Sequence, residues 1–203
     1  MMRVVLAPMD IREAAEELVR GGVVAYPTET FYGLGVDAQN PEALARLVSL
    51  KGRDAVNPFP VLLPDLGHLI RFTGPLPETV SRLITKFWPG PLTLILKARD
   101  LPDLLKGPSG GIGFRVSSHP VARELLTEFG RCVTATSANS TGKKPASSMN
   151  ELRAYFEKTN ILALDAGNTP GGLPSTVLDF TDPKKFKVVR EGAISLEEIR
   201  CAL

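Results

Sequence analysis

Residues 10–35 read DIREAAEELVRGGVVAYPTETFYGLG, and the order of signals in this stretch decides the fold class. Asp10 with Glu13 three residues later has capping-box spacing and predicts a helix over Ile11 to Arg20, which Gly21-Gly22 would end. The apolar run Val23 to Tyr26 then reads as a buried strand. Directly after it, Pro27 to Gly35 supplies two threonine hydroxyls, the Glu29 carboxylate and two glycines that permit close backbone approach. That composition suits a small-ligand loop; it also suits an ordinary turn with Glu29 and Thr30 solvated.

Working outward, the same alternation repeats. Asn40-Pro41 offers an N-cap and a first-turn proline for a helix to about Leu50, delivering Lys51 into a loop. Pro60 to Leu63 and Leu92 to Leu96 read as strands around a helical stretch from Pro77 to Phe87, which Pro89 and Pro91 must terminate. Gly111 to Val116 is a further strand, Ser118-His119-Pro120 starts a helix to Phe129, and Val133 to Thr136 runs as a strand into Ser137-Ala138-Asn139. Ser148 with Glu151 and Ser195 with Glu198 repeat the capping-box spacing. Strands at Ile161 to Leu164, Ser175 to Phe180 and Lys187 to Val189 complete the pattern. Interleaved strands and helices predict an α/β fold with helices packed on a sheet, and the closely spaced final strands make that sheet mixed.

With 203 residues, 43% of them hydrophobic, the chain fits one domain over 1–203. Lys and Arg total 24 against 22 Asp and Glu, so a net charge of +2 is no argument for nucleic acid, and any basic site must be local. Two cysteines, Cys132 and Cys201, form neither metal-ligand spacing nor a disulfide framework, which fits a reduced compartment and a cytoplasmic location. The start has no long apolar segment and no run reaches membrane-spanning length, so secretion and membrane insertion are not expected.

Four further segments have the composition of a ligand site. Lys51-Gly52-Arg53, followed by Asn57, puts two cations around a glycine where they could grip phosphates, although a helix C-terminus favours cations in any case. Arg115 sits in an apolar strand and needs an anion, either a structural carboxylate or that of a substrate. Thr134 to Pro145 gathers hydroxyls, the Asn139 amide and two lysines, a set suited to phosphates and sugar hydroxyls or to a solvated turn. The small-residue loop Gly167 to Ser175 is flexible enough for a lid, and Arg190 follows a strand. Gly107-Pro108-Ser109-Gly110-Gly111 has the letters of a nucleophile elbow, but a strand rather than a helix is expected after it. Only His68 and His119 are present, both expected to be solvated, so a Ser/His/Asp triad or a histidine-rich metal site has almost no raw material. No Walker loop or full Gly-x-Gly-x-x-Gly occurs.

Taken in order, Pro27 to Leu34, Lys51-Gly52-Arg53, Trp88-Pro89-Gly90-Pro91-Leu92-Thr93, Arg115, Ser137-Ala138-Asn139, Ser175-Thr176-Val177 and Arg190-Glu191-Gly192 resemble the YrdC family in its short bacterial form. The motif-bearing part runs from about residue 11 to 195. The resemblance implies a twisted sheet around a basic cavity, and an enzyme that converts threonine, bicarbonate and ATP, with Mg²⁺, into threonylcarbamoyl-AMP and pyrophosphate. Partner proteins would then transfer the threonylcarbamoyl group to adenosine 37 of tRNA. It implies Thr30, Arg115 and Ser175 for threonine, and Arg53, Asn57, Ser137, Asn139, Ser147 and Arg190 for ATP. Lys51 and Arg53 would carry the catalytic charge beside the phosphates, with no resident metal site. Three departures stand out: Asp54 where proline often follows, Leu62 where some relatives carry histidine, and an extra residue at Lys143-Lys144. The reading from another class is a module that binds double-stranded RNA or tRNA through the same cavity. A second rival is a carbamoyl-transfer domain of hydrogenase maturation proteins.

Overall fold

The structure is a computed structural model that describes residues 2–6, 10–52, 58–139, 142–182 and 185–203. In chain order the elements are β1 (Arg3–Leu6), α1 (Ile11–Val19), β2 (Val23–Pro27), β3 (Tyr32–Gly35), α2 (Pro41–Lys51), β4 (Val61–Leu62), α3 (Leu66–Thr73), α4 (Glu78–Phe87) and β5 (Leu92–Leu96). They continue with β6 (Ile112–Arg115), α5 (Pro120–Phe129), β7 (Val133–Thr134), β8 (Thr136–Ser137), α6 (Met149–Phe156), β9 (Ile161–Asp165), β10 (Thr176–Asp179), β11 (Lys187–Arg190) and α7 (Leu196–Arg200). The expected mixed α/β architecture is present, with its strands divided between two sheets. One is five-stranded in the order β1-β9-β2-β3-β8, the other six-stranded in the order β11-β10-β5-β6-β4-β7. Each contains parallel and antiparallel pairs.

The sheets are joined where β7 leaves one and β8 enters the other, with Ala135 between them donating its N–H to the Pro60 carbonyl at 2.7 Å. Gly35 makes this junction possible, because a Cβ there would stand 2.3 Å from Val133 Cγ1 and 2.7 Å from the Thr134 carbonyl oxygen. Tyr26 crosses the same junction and donates its hydroxyl to that carbonyl at 2.7 Å.

β2 explains why its sequence is apolar without interruption. Val24 and Tyr26 face a core made with α1 and α5, while Val23 and Ala25 face the larger core that α2, α3 and α4 complete. A strand covered on both faces has no use for polar residues. Burying large side chains such as Leu44, Leu47, Leu83 and Phe114 completely stabilises the fold by about 1.5–3 kcal/mol each before entropy is counted.

Several local expectations hold. Asn40 accepts from the N–H groups of Glu42 and Ala43, with Pro41 at the first turn of α2. Ser195 and Glu198 form a complete capping box. Asp10 does not cap α1, because its backbone is not extended and Glu13, its intended partner, is taken by Arg3 of β1 at 2.9 Å. At α6 the reciprocal half of the box is displaced by one residue. Ser148 accepts from the Glu151 N–H, but the Glu151 carboxylate accepts from the N–H and hydroxyl of Ser147. Three elements lie outside the sequence reading: β1, β3 and α3. The last is capped by Asp65, whose carboxylate accepts the His68 N–H at 3.0 Å.

Candidate functional site

Between the sheets lies a cavity of about 990 Å³. Its floor is one face of the six-stranded sheet. Leu92, Leu94, Leu96, Ile112, Phe114 and Leu178 point into the core, while Thr93, Ile95, Gly113, Arg115, Val177 and Asp179, at the alternate positions, line the cavity. Period-2 alternation therefore separates a wholly apolar side from a mixed side that carries Thr93, Arg115 and Asp179 beside Ile95 and Val177. Thr28, Thr30 to Gly33 and Thr136-Ser137 form the facing wall. Among the described residues, Arg115, Lys187 and Arg190 line the cavity against one carboxylate, Asp179, which makes this lining basic. Burial works against the charged form of Asp179, but hydrogen bonds from Thr181 and Ser109 hold its pKa below the usual carboxylate range.

At one end stands Arg115, with only 8% of its side chain exposed. Its Nη1 is 3.4 Å from Glu29 Oε1, an ion pair too long to be a good hydrogen bond. Glu29, its side chain 11% exposed, is thus a mostly buried partner of Arg115, and the solvated-turn reading of this loop fails at that residue. Beside Arg115, the hydroxyls of Thr93 and Ser175 lie 3.0 Å apart. Arg190 closes over them from the edge strand, donating Nε and Nη2 to the Ser175 carbonyl at 3.1 and 2.8 Å, and Nη2 to the Ser175 hydroxyl at 3.1 Å. Burial, and then the nearby Arg115, hold the Arg190 pKa below its ordinary value. Thr30 faces the same space, its hydroxyl 3.2 Å from that of Thr28.

Ser137 lines the cavity on the opposite wall and donates its hydroxyl to Asn139 Oδ1 at 2.9 Å. Lys51 is placed otherwise than a loop cation would be. It is the last residue of α2, 3% exposed, and its ammonium donates to the carbonyls of Ser137 and Asn139 at 2.8 and 2.7 Å and to Asn139 Oδ1 at 2.7 Å. Neither Lys51, Asn139 nor Ser147 is among the described residues lining the cavity. Arg53 and Asn57, and with them Asp54, lie outside the described residues.

The Gly167 to Ser175 loop is docked rather than loose at its base. Tyr32 donates its hydroxyl to the Gly167 carbonyl at 2.6 Å, the Thr169 N–H bonds Ser147 O at 2.9 Å, and the Gly171 N–H bonds Thr30 O at 2.7 Å. Leu62, fully buried in β4, pairs with Arg115 in register and packs in the core made with α1 and α5, so this position offers no polar group to the cavity. His119 is half-buried rather than fully solvated: its Nδ1 is buried without a hydrogen-bond partner. A strand, β6, follows Gly107 to Gly111, as expected for an accidental elbow match.

Thr30, Arg115, Ser137, Ser175 and Arg190 are therefore brought to one cavity from five separate segments. Sequence reasoning missed Thr93 and Asp179 in the lining and Ser117 behind it. A lone threonine between leucines in the apolar strand β5 was the available signal for Thr93.

Comparison with known proteins places the chain in one family. The family model described as "Sua5_yciO_yrdC: Telomere recombination" matches residues 16–192. A protein of Halorhodospira halophila named threonylcarbamoyl-AMP synthase is 42% identical over 85% of this chain and 91% of its own length. One of the same name from Bacillus subtilis is 36% identical over 95% of this chain, which spans only 56% of that longer protein. Among solved structures, Pyrococcus abyssi Sua5 complexed with L-threonine superposes with a TM-score of 0.90 at 32% identity, covering 100% of this chain and 61% of that one. Escherichia coli YciO gives 0.85 at 29% identity, with 98% of both chains covered. The chain belongs to the Sua5/YciO/YrdC family.

Proposed function

We propose that the chain is a threonylcarbamoyl-AMP synthase, a nucleotidyltransferase that condenses L-threonine, bicarbonate and ATP into threonylcarbamoyl-AMP and pyrophosphate for modification of tRNA adenosine 37. The observation that carries the reading is Arg115: a buried guanidinium, only loosely paired with Glu29, faces a cavity beside the Ser175 and Thr93 hydroxyls. A guanidinium with free parallel donors fits a carboxylate bidentately, and the neighbouring hydroxyls suit a hydroxylated amino acid. The 990 Å³ of space exceeds the need of a free amino acid and leaves room for a nucleotide. The names of the relatives, and the threonine complex of the P. abyssi protein, support the same choice.

In this reading Thr30, Arg115 and Ser175 hold threonine, and Ser137 and Arg190 reach the nucleotide, with Asn139 and Ser147 shaping that wall from behind. Arg53 and Asn57 complete the ATP contacts. Carboxylation of the threonine amine by bicarbonate releases water and gives a carbamate. A carbamate oxygen forms a bond to the α-phosphorus while the bond to pyrophosphate breaks. Fixed cations stabilise the charge that grows on the phosphates, so no protein nucleophile is needed. Mg²⁺ would enter as part of the Mg–ATP substrate. Action in the cytoplasm and hand-over to transfer proteins belong to the same proposal; among the described residues no helix is long and apolar enough to cross a membrane.

An RNA-binding module fits less well, because phosphate backbone is met by exposed cations and Arg115 is recessed in a cavity wall. The test is release of pyrophosphate from Mg–ATP in the presence of bicarbonate. Release is expected to require threonine; release that ignores threonine refutes the assignment.

A further inference from the structure

Buried polar atoms in folded proteins nearly always have a partner, and exceptions need a reason. Among the described residues, Glu29 Oε1 and His119 Nδ1 have none. Both stand in one cluster behind Arg115. Glu29 Oε1 is 3.4 Å from Arg115 Nη1, and its Oε2 accepts a hydrogen bond from the Ser117 hydroxyl. The direction of that bond is fixed locally. Ser117 Oγ also receives the His119 backbone N–H at 3.2 Å, and since an amide can only donate, the hydroxyl hydrogen is left to point at Glu29. Ser117 is completely buried, and neither it nor Glu29 is among the residues lining the cavity.

The looseness of the pair has a use. A tight bidentate Glu–Arg pair would consume the two parallel N–H donors that an incoming carboxylate needs. No pair at all would leave a guanidinium buried without charge compensation, which is costly. A carboxylate held about 3.4 Å away by a third residue meets both demands, since Coulomb attraction falls only slowly with distance.

We infer that Glu29, aimed by Ser117, is the positioning residue of the Arg115 site: it neutralises and orients the guanidinium from behind while leaving its donors available to a ligand carboxylate on the cavity side. Ser117 acts only through Glu29. The kinetic consequence rests on the assignment of threonine as substrate; the geometric core does not.

The experiment therefore has two arms on the full chain. In the first, the side-chain Nε–H signal of Arg115, assigned by its loss in Arg115→Lys, is followed by NMR without ligand. A single sharp signal is expected in the parent, shifted or broadened in both Ser117→Ala and Glu29→Gln; an unaltered signal in both overturns the inference whatever the substrate is. In the second arm, pyrophosphate release is titrated with threonine and, separately, with ATP. Ser117→Ala is expected to raise the threonine KM about tenfold, the loss of one hydrogen bond to a charged group, with kcat and the ATP KM within about twofold of the parent. Ser117→Thr, which keeps the hydroxyl, restores it. An unchanged threonine KM in Ser117→Ala, or equal rises in both KM values with a matching fall in Tm, overturns the inference. Threonine-independent release by the parent would sink the substrate assignment alone and leave the spectroscopic arm to decide.

Discussion

Arg115 and Lys51 are both buried cations on the edges of family motifs, yet the structure uses them in opposite ways. Arg115 offers five N–H donors and meets one carboxylate at 3.4 Å, keeping the rest for the cavity. Lys51 has three donors, and the Ser137 carbonyl, the Asn139 carbonyl and Asn139 Oδ1 can take all of them at 2.7–2.8 Å. Burial of a charge does not mark a ligand site by itself. What separates the two is whether the fold has already spent the donors.

The sharpest way to break this comparison is at Arg115. Truncation to alanine removes a recessed charge, so threonine affinity should fall by at least about 3 kcal/mol, a hundredfold or more, and Tm should fall as well, because Glu29 is left without its cation. Calorimetric titration with threonine decides this, and unaltered affinity would assign Arg115 to the fold rather than to threonine. The second effect is the mirror image. Lys51→Met keeps the buried stem but strands the acceptors of the Ser137–Asn139 turn, and stability should drop by about 2–3 kcal/mol in urea unfolding. Because Ser137 lines the cavity, the ATP KM should rise with it while the threonine KM holds. Full stability together with lost turnover would return Lys51 to direct contact with phosphate.

The comparison also explains how far the sequence could be read. Local physics was legible: Asn40-Pro41, Ser195 with Glu198 and the unbroken Val23 to Tyr26 run each specify their element within a few residues. Where a distant strand intervened, local rules failed. Asp10 lost its capping partner because Arg3 claims Glu13, and β3 resembled a loop because Gly33 and Gly35 punctuate it, although Tyr32 and Leu34 are fully buried. The site divided in the same manner. Arg115 announced its need for an anion, since an arginine in an apolar strand is costly alone. That Glu29 answers it, and that Lys51 serves the Ser137–Asn139 turn, depends on pairings between segments far apart in the chain, for which one sequence holds no local signal.

A smaller effect probes the rear of the Arg115 site. Burial lowers the His119 pKa below its ordinary value of 6.5, and the nearby Glu29 carboxylate only partly opposes this. The folded chain thus holds the proton less readily than the unfolded chain. By linkage, stability is unaffected above about pH 6.5 and declines as pH falls from there through the lowered folded value. Tm measured from pH 7.5 down to 5 should therefore fall more steeply in the parent than in His119→Gln, which cannot titrate. Protonation would also set a second cation beside Glu29, in competition with Arg115, so the threonine KM should rise over the same interval while the ATP KM does not. Parallel Tm profiles in parent and variant would mean that His119 stays neutral at no cost to the fold. The unpartnered Nδ1 would then be a packing feature with no electrical link to Glu29 and Arg115.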